Sequence, residues 1–318
     1  MKRRIFLMAA GAAAAAPAPE IVSVKKIWGG EGLHCAFTDL IRYKGEWLCT
    51  FREGQGHVSD TGTIRVIGSR DGERWESLAL LREDGVDLRD PKFSETPDGR
   101  LMLLMGGSIR ENGKYLRRQC RAAFSRNGRE WDRLHPVLHS NHWLWRVTWH
   151  KGTAYGVSYR GGGGLTEPRA AHLWKGTDGS RYELVTELDL PGQSETTLRF
   201  DGEEAVALAR SGVRSSIGVS RPPYTKWAWT PVGQMLGGPN FIALPDGRWI
   251  AGSRDSRSGK PKTSLSWMTR SSFETVLSFD SGGDTSYPGL SMEGRILRVS
   301  YYSSHEGSAS VYIASVRV

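Results

Sequence analysis

The sequence predicts an all-β chain folded as a six-bladed propeller, and three observations predict it. Six Gly-centred turns recur about every fifty residues, which is the propeller range. A second kind of turn follows the first three of them at a constant interval. An apolar strand precedes the first repeat, while the last repeat is short.

The first turns read YKGEW, TPDGRL, HKGTAY, FDGEEA, LPDGRW and MEGRI, centred on Gly45, Gly99, Gly152, Gly202, Gly247 and Gly294. Each sits between two apolar runs, and Gly beside Asp or Lys supplies the positive φ of a tight hairpin. Six such hairpins imply six blades. The second turns read SRDGERW at 69–75, SRNGREW at 125–131 and GTDGSRY at 176–182, all Asp-box sequences. There an Asp or Asn side chain accepts backbone N–H bonds and a terminal aromatic ring packs between strands, so their role is structural. Remnants end at Trp227 and Phe273, and the sixth repeat has none. The strand IVSVKKIW at 21–28 is expected to pair with the short last repeat, Asp284 to Val318, closing the ring and leaving no open edge.

The N-terminus, MKRRIFLMAAGAAAAAPAPE, has a basic start, a short apolar stretch and small residues suited to signal peptidase. Residues 1–18 are therefore read as an export signal and 19–318 as the propeller. Arg3 and Arg4 before Ile5, Phe6 and Leu7 resemble a twin-arginine signal, with an ordinary secretory signal as the alternative. A periplasmic or secreted protein with no further membrane span is expected. Without Lys2, Arg3 and Arg4 the formal charge falls from +9 to +6, which suits an anionic ligand. Basic clusters of the nucleic-acid type are absent. Cys35, Cys49 and Cys120 lack disulfide or zinc spacing, and His139 and His142 lack a third ligand, so neither metal nor cofactor is expected.

If both turns of every blade share one end, the other end gathers the starts of first strands and the ends of second strands. Starts then contribute Thr38, Asp39, Arg89, Asp90, Trp145, Arg146, Glu195, Asn240 and Tyr287. Ends contribute Arg52, Glu53, Arg160, Arg210, Arg254 and Tyr301 or Tyr302. Four arginines at one phase of a repeat need either an anionic ligand or internal partners, for which Glu53, Asp90 and Asp255 are available.

The Asp boxes, the six repeats and these cleft positions together resemble the bacterial sialidase (neuraminidase) superfamily over the whole mature chain. The resemblance implies a glycosidase in which three Arg hold the substrate carboxylate, a Glu activates a Tyr nucleophile, and an Asp on a first-blade loop acts as acid and base. Glu195 in QSETTLRF with Arg210 in VALARS is similar to the family's Glu and Arg pairing. Tyr287 in DTSYPGL matches the nucleophile, Asp60 in FREGQGHVSDTG the acid and base, and Arg254 in GSRDS a clamp Arg. The family's first clamp Arg, in a Phe-Arg-Ile-Pro motif, is replaced here by AFTDLI with Thr38 and Asp39, leaving Arg52 or Arg89 to substitute.

His34, His57 and His305 lie near the same end as further candidates for bonding sugar hydroxyls. The implied reaction is hydrolysis of a terminal sialic acid or related acidic sugar from a glycan, with retention, by a monomer. A silent glycan-binding propeller and a different polysaccharide-active enzyme are the alternatives.

Overall fold

The computed structural model describes residues 18–111, 114–162, 165–212 and 214–318. The export signal read at 1–18 lies outside the described residues but for Ala18. All regular structure among the described residues is β, in six four-stranded antiparallel sheets.

Strand β1 (Glu20–Trp28) comes first. Blade 1 is β2 (His34–Tyr43), β3 (Glu46–Gly54), β4 (Thr63–Ser69) and β5 (Glu76–Leu81). Blade 2 is β6 (Val86–Glu95), β7 (Leu101–Glu111), β8 (Lys114–Ser125) and β9 (His135–Val137). Blade 3 is β10 (Trp143–His150), β11 (Thr153–Gly162), β12 (Leu165–Gly176) and β13 (Glu183–Leu188). Blade 4 is β14 (Gln193–Asp201), β15 (Glu204–Ser211), β16 (Ser216–Ser220) and β17 (Ala228–Pro231). Blade 5 is β18 (Gly237–Ala243), β19 (Trp249–Asp255), β20 (Lys262–Met268) and β21 (Phe273–Ser278). Blade 6 is β22 (Thr285–Glu293), β23 (Ile296–Ser303) and β24 (Ser310–Arg317), with β1 as its fourth strand.

The expected closure is therefore present: β1 pairs antiparallel with β24 from Glu20↔Arg317 to Trp28↔Val311. The first strands touch in a closed circle, β2 to β6, β10, β14, β18, β22 and back to β2. Apolar faces of successive blades interlock. Leu48, Ile64 and Val66 of blade 1 pack with Leu88, Leu101 and Leu103 of blade 2, for example. All six predicted turn glycines have positive φ, from 57° to 84°. At Lys44–Gly45 and Lys151–Gly152 both central residues do (48° and 81°, 49° and 78°), which gives the twist-matching two-residue hairpin.

The second turns share one hydrogen-bond set. Asp71 Oδ1 accepts from Glu73 and Arg74 N–H at 2.9 Å, Asn127 Oδ1 from Arg129 and Glu130 at 2.9 Å, and Asp178 Oδ1 from Ser180 and Arg181 at 2.8 Å. The closing ring then donates back to the carbonyl at the Gly position: Trp75 to Gly72 (3.3 Å), Trp131 to Gly128 (3.2 Å) and Tyr182 to Gly179 (3.1 Å). Blade 4 keeps that last bond without the acidic residue, from Trp227 Nε1 to Tyr224 O at 3.1 Å. Asn127→Ala removes two backbone acceptor bonds and is expected to cost about 1 kcal/mol. A urea midpoint unchanged from wild type would count against this role.

Antiparallel order within every blade puts both turns on one end, as expected, and the first-strand starts on the other. Near each of those starts lies a β-bulge, in register all round the ring. Two residues of the first strand face one of the second: Phe37–Thr38, Asp90–Pro91, Trp145–Arg146, Ser194–Glu195, Gly238–Pro239 and Tyr287–Pro288. A bulge re-aims side chains, and six at one level re-aim six sets toward the axis. Phe37, Asp90, Gly238 and Tyr287 have φ of 64°, 50°, 60° and 53°. A left-handed backbone at three non-Gly residues is strain that the surrounding sheet must hold.

Candidate active site

The bulge ring brings Tyr287 and Glu195 together across 92 residues of sequence: the Tyr287 hydroxyl donates to Glu195 Oε1 at 2.8 Å. Arg210 Nη1 donates to the same oxygen at 2.9 Å, and the Gly238 N–H donates to Oε2 at 2.7 Å. Gly238 serves twice. A Cβ there would lie 2.8 Å from Tyr287 Cγ, so only glycine lets the phenol lie against this backbone while the N–H reaches Glu195.

Phe37 and Trp145, from the bulges of blades 1 and 3, pack on the Tyr287 ring with centroids 5.0 and 5.5 Å away. Thr38 Oγ1 donates to the Tyr287 carbonyl at 2.8 Å. The nucleophile candidate is thus fixed at its ring, its hydroxyl and its backbone.

Protonation follows from these neighbours. Burial, then the charges of Glu195 and Asp90, push the Tyr287 phenol well above the usual tyrosine range, against Arg254 and Arg210. It is neutral at rest. Burial raises the Glu195 carboxyl, but Arg210, the Gly238 N–H and the Tyr287 hydroxyl outweigh it and hold the group below the usual value. The pair is therefore a neutral phenol bonded to a carboxylate, the state in which a base can take the phenol's proton as the oxygen attacks.

Arg210 and Arg254 both act electrostatically on this pair. Arg254 is partly exposed at the end of β19, beside Gly237, where an added Cβ would fall 2.7 Å from Nε. Arg89 acts electrostatically on Tyr287, and its guanidinium lies 4.8 Å over the Phe37 ring, with Nη1 donating to His57 O at 2.9 Å and to Asp87 at 3.3 Å. Asp90, in the blade 2 bulge, is buried with Oδ1 unbonded among the described residues. Burial raises its carboxyl, opposed by Arg89 and Lys92.

Arg52, Arg146, Asn240 and His305 are engaged elsewhere. Arg52 is fully buried and committed to Asp87 (2.7 Å), Gly56 O (2.8 Å) and Ser59 Oγ (2.7 Å), so it does not line the cleft. Arg146 forks onto Asp39 with two 2.9 Å bonds, and Asn240 bridges Arg199 and the Pro288 carbonyl at 3.0 Å each. These two build the propeller axis. His305 bonds Ser303 at 2.9 Å and packs on Tyr312. Asp60 is exposed on the β3–β4 loop, with no hydrogen bond or ion pair among the described residues. The internal partners expected for the arginines also differ: Glu53 pairs with Arg65, and Asp255 with Arg257.

No protein-family profile matches the chain, and no curated protein matches it in sequence. Solved structures do match in fold. A protein of unknown function from Dyadobacter fermentans superposes with a TM-score of 0.83 at 18% identity, over 95% of this chain and 100% of that one. Trypanosoma rangeli sialidase gives 0.71 at 12% identity over 95% of this chain, which spans only 60% of the sialidase. A mutant α-L-arabinofuranosidase from Fusarium graminearum, in complex with an iminosugar inhibitor, gives 0.72 at 13% identity, over 93% and 98% of the two chains. The fold is thus the six-bladed propeller that sialidases share with a second kind of glycoside hydrolase.

Proposed function

We propose that the protein is an exported retaining exo-glycosidase that removes a terminal acidic sugar, sialic acid or a relative, from a glycan. The observation that carries this reading is the buried 2.8 Å bond from Tyr287 to Glu195. The Tyr287 oxygen attacks the anomeric carbon as Glu195 takes its proton, and the glycosidic C–O bond breaks with Asp60 protonating the leaving oxygen. Water then cleaves the tyrosyl intermediate with the proton roles reversed, so configuration is retained. A neutral phenol suits a substrate whose own carboxylate would repel an anionic nucleophile.

Arg210, Arg254 and Arg89 supply the cationic face for that carboxylate, with Arg89 in the part left open by the absent first-blade Arg. Asp90 Oδ1 accepts a sugar hydroxyl. Export rests on the Arg3–Arg4 start.

A second reading, another sugar without a full carboxylate clamp, is favoured by blade 1, where Phe37 packs buried on Tyr287 and Thr38 and Asp39 bond inward, so no Arg stands at this position. Fluorogenic α-sialosides and glycosides of other acidic and neutral sugars test both. Turnover of an acidic glycoside, with KM rising in Arg254→Met, is the expected result. Preference for a neutral sugar would select the second reading, and glycan binding without any turnover would leave a binding propeller in its place.

A further inference from the structure

At the same end of the ring, His34, His57 and Asp284 meet although His34 and Asp284 are 250 residues apart. His34 opens β2, His57 sits in the β3–β4 loop, and Asp284 immediately precedes β22, so adjacent blades 1 and 6 supply them. We propose that these three residues bind a divalent transition metal of the zinc class, at a site distinct from the Tyr287–Glu195 pair and independent of the reading given to it.

One nitrogen from each imidazole and one carboxylate oxygen lie within 4.8 Å of one another. Bonds of about 2.0–2.2 Å to a tetrahedral ion set neighbouring donors somewhat over 3 Å apart, so these side chains close on an ion with small rotations. His34 Nε2 is 2.7 Å from Asp284 Oδ2, and His57 Nδ1 is 3.4 Å from the same carboxylate. Two imidazoles and a carboxylate suit zinc and its first-row neighbours, whereas calcium and magnesium favour all-oxygen sets.

Groups behind two of the donors hold them in place. The Tyr302 hydroxyl donates to Asp284 Oδ1 at 2.9 Å, fixing the carboxylate from behind. Phe37 lies against both imidazoles, with centroids 5.2 Å from His57 and 6.3 Å from His34, and so limits their rotation. His34 presents Nε2 to Asp284 and so to the ion, while its Nδ1 is buried with no partner among the described residues. His57 is half exposed, at 49%, which leaves coordination positions open to solvent. Phe37 touches Tyr287 as well, so the site packs beside the Tyr287–Glu195 pair with that buried ring between them.

The test uses the full protein stripped with EDTA, equilibrated with Zn²⁺ and passed through gel filtration. About one zinc per chain should remain by mass spectrometry, and Asp284→Asn and His57→Ala should each weaken Zn²⁺ affinity in calorimetry by at least ~10-fold. His57→Ala tests the site at its half-exposed ligand, circular dichroism reports whether each variant folds, and exposed His139→Ala should bind as wild type does. Wild type that retains no zinc, or His57→Ala that retains as much as wild type, would overturn the proposal and leave a His–Asp–His hydrogen-bond cluster. Because the readout is metal content, neither result bears on glycoside turnover.

Discussion

Tyr287→Phe is expected to reduce kcat on an acidic glycoside by at least ~10³-fold, since it deletes the attacking oxygen itself. Stability should change little. Glu195 keeps its bonds from Arg210 and the Gly238 N–H, and the ring keeps its packing on Phe37 and Trp145, so the loss is that of one hydrogen bond, about 1 kcal/mol. Ligand affinity should persist, because the cationic face is untouched. Steady-state kinetics with wild type and variant, beside binding of a non-hydrolysed glycan, separates the two quantities. Equal turnover by the variant would exclude Tyr287 as nucleophile, whatever the protein's substrate proves to be.

The repeat was legible because each blade spends a glycine on its first hairpin, and backbone sterics give that position few alternatives. Ring closure was legible for a related reason: β1 was an extra strand and the last repeat lacked one. From those two facts the cleft end followed, and the resemblance to sialidases singled out Glu195 and Tyr287 among its residues. The bulges were not legible. A bulge adds one residue without any composition of its own, and the six that open the bulges, Phe37, Asp90, Trp145, Ser194, Gly238 and Tyr287, run from glycine to tryptophan. Counting from the turns placed Thr38 and Asp39 at the blade 1 site, whereas the bulge turns Phe37 onto the Tyr287 ring and sends Asp39 to the Phe93 N–H and Arg146.

Ion-pair choices were equally hidden. Arg52 and Arg210 occupy the same phase of their blades, yet one meets Asp87 from blade 2 and the other meets Glu195 from its own blade. Which carboxylate faces an arginine depends on the neighbouring blade, and no local pattern encodes it. His34, His57 and Asp284 were missed as a set for the same reason: blades 1 and 6 adjoin only because the ring closes. A search for His and Asp at equivalent cleft-end positions of adjacent blades would have found them.

Asp39→Ala is expected to be the most destabilising of these substitutions, by about 3–5 kcal/mol, because it strands buried charge. Asp39 accepts both Arg146 bonds at 2.9 Å and the Phe93 N–H at 2.8 Å, and it is itself buried. Two further cations stand close. Burial brings Lys92 down to about 8, with Asp39 acting to raise it. Burial and then Arg146 bring Arg199 down to about 9, again with Asp39 opposing. Removing the carboxylate that Arg146 bonds directly leaves these cations facing one another in a low-dielectric axis, with Asp90 and Glu195 offsetting only Lys92. The loss should also reach the cleft, since adjacent Thr38 bonds the Tyr287 carbonyl from the same bulged strand. Urea unfolding should show a much lower midpoint for Asp39→Ala, whereas Glu183→Gln, at the exposed pair with Lys175, should leave it unchanged. Replacing both partners, as Asp39→Leu with Arg146→Met, should recover part of the loss because the Arg146 charge is then not left stranded. An Asp39→Ala midpoint equal to that of wild type would mean that water already solvates the axis, and that the ring is held by blade packing alone.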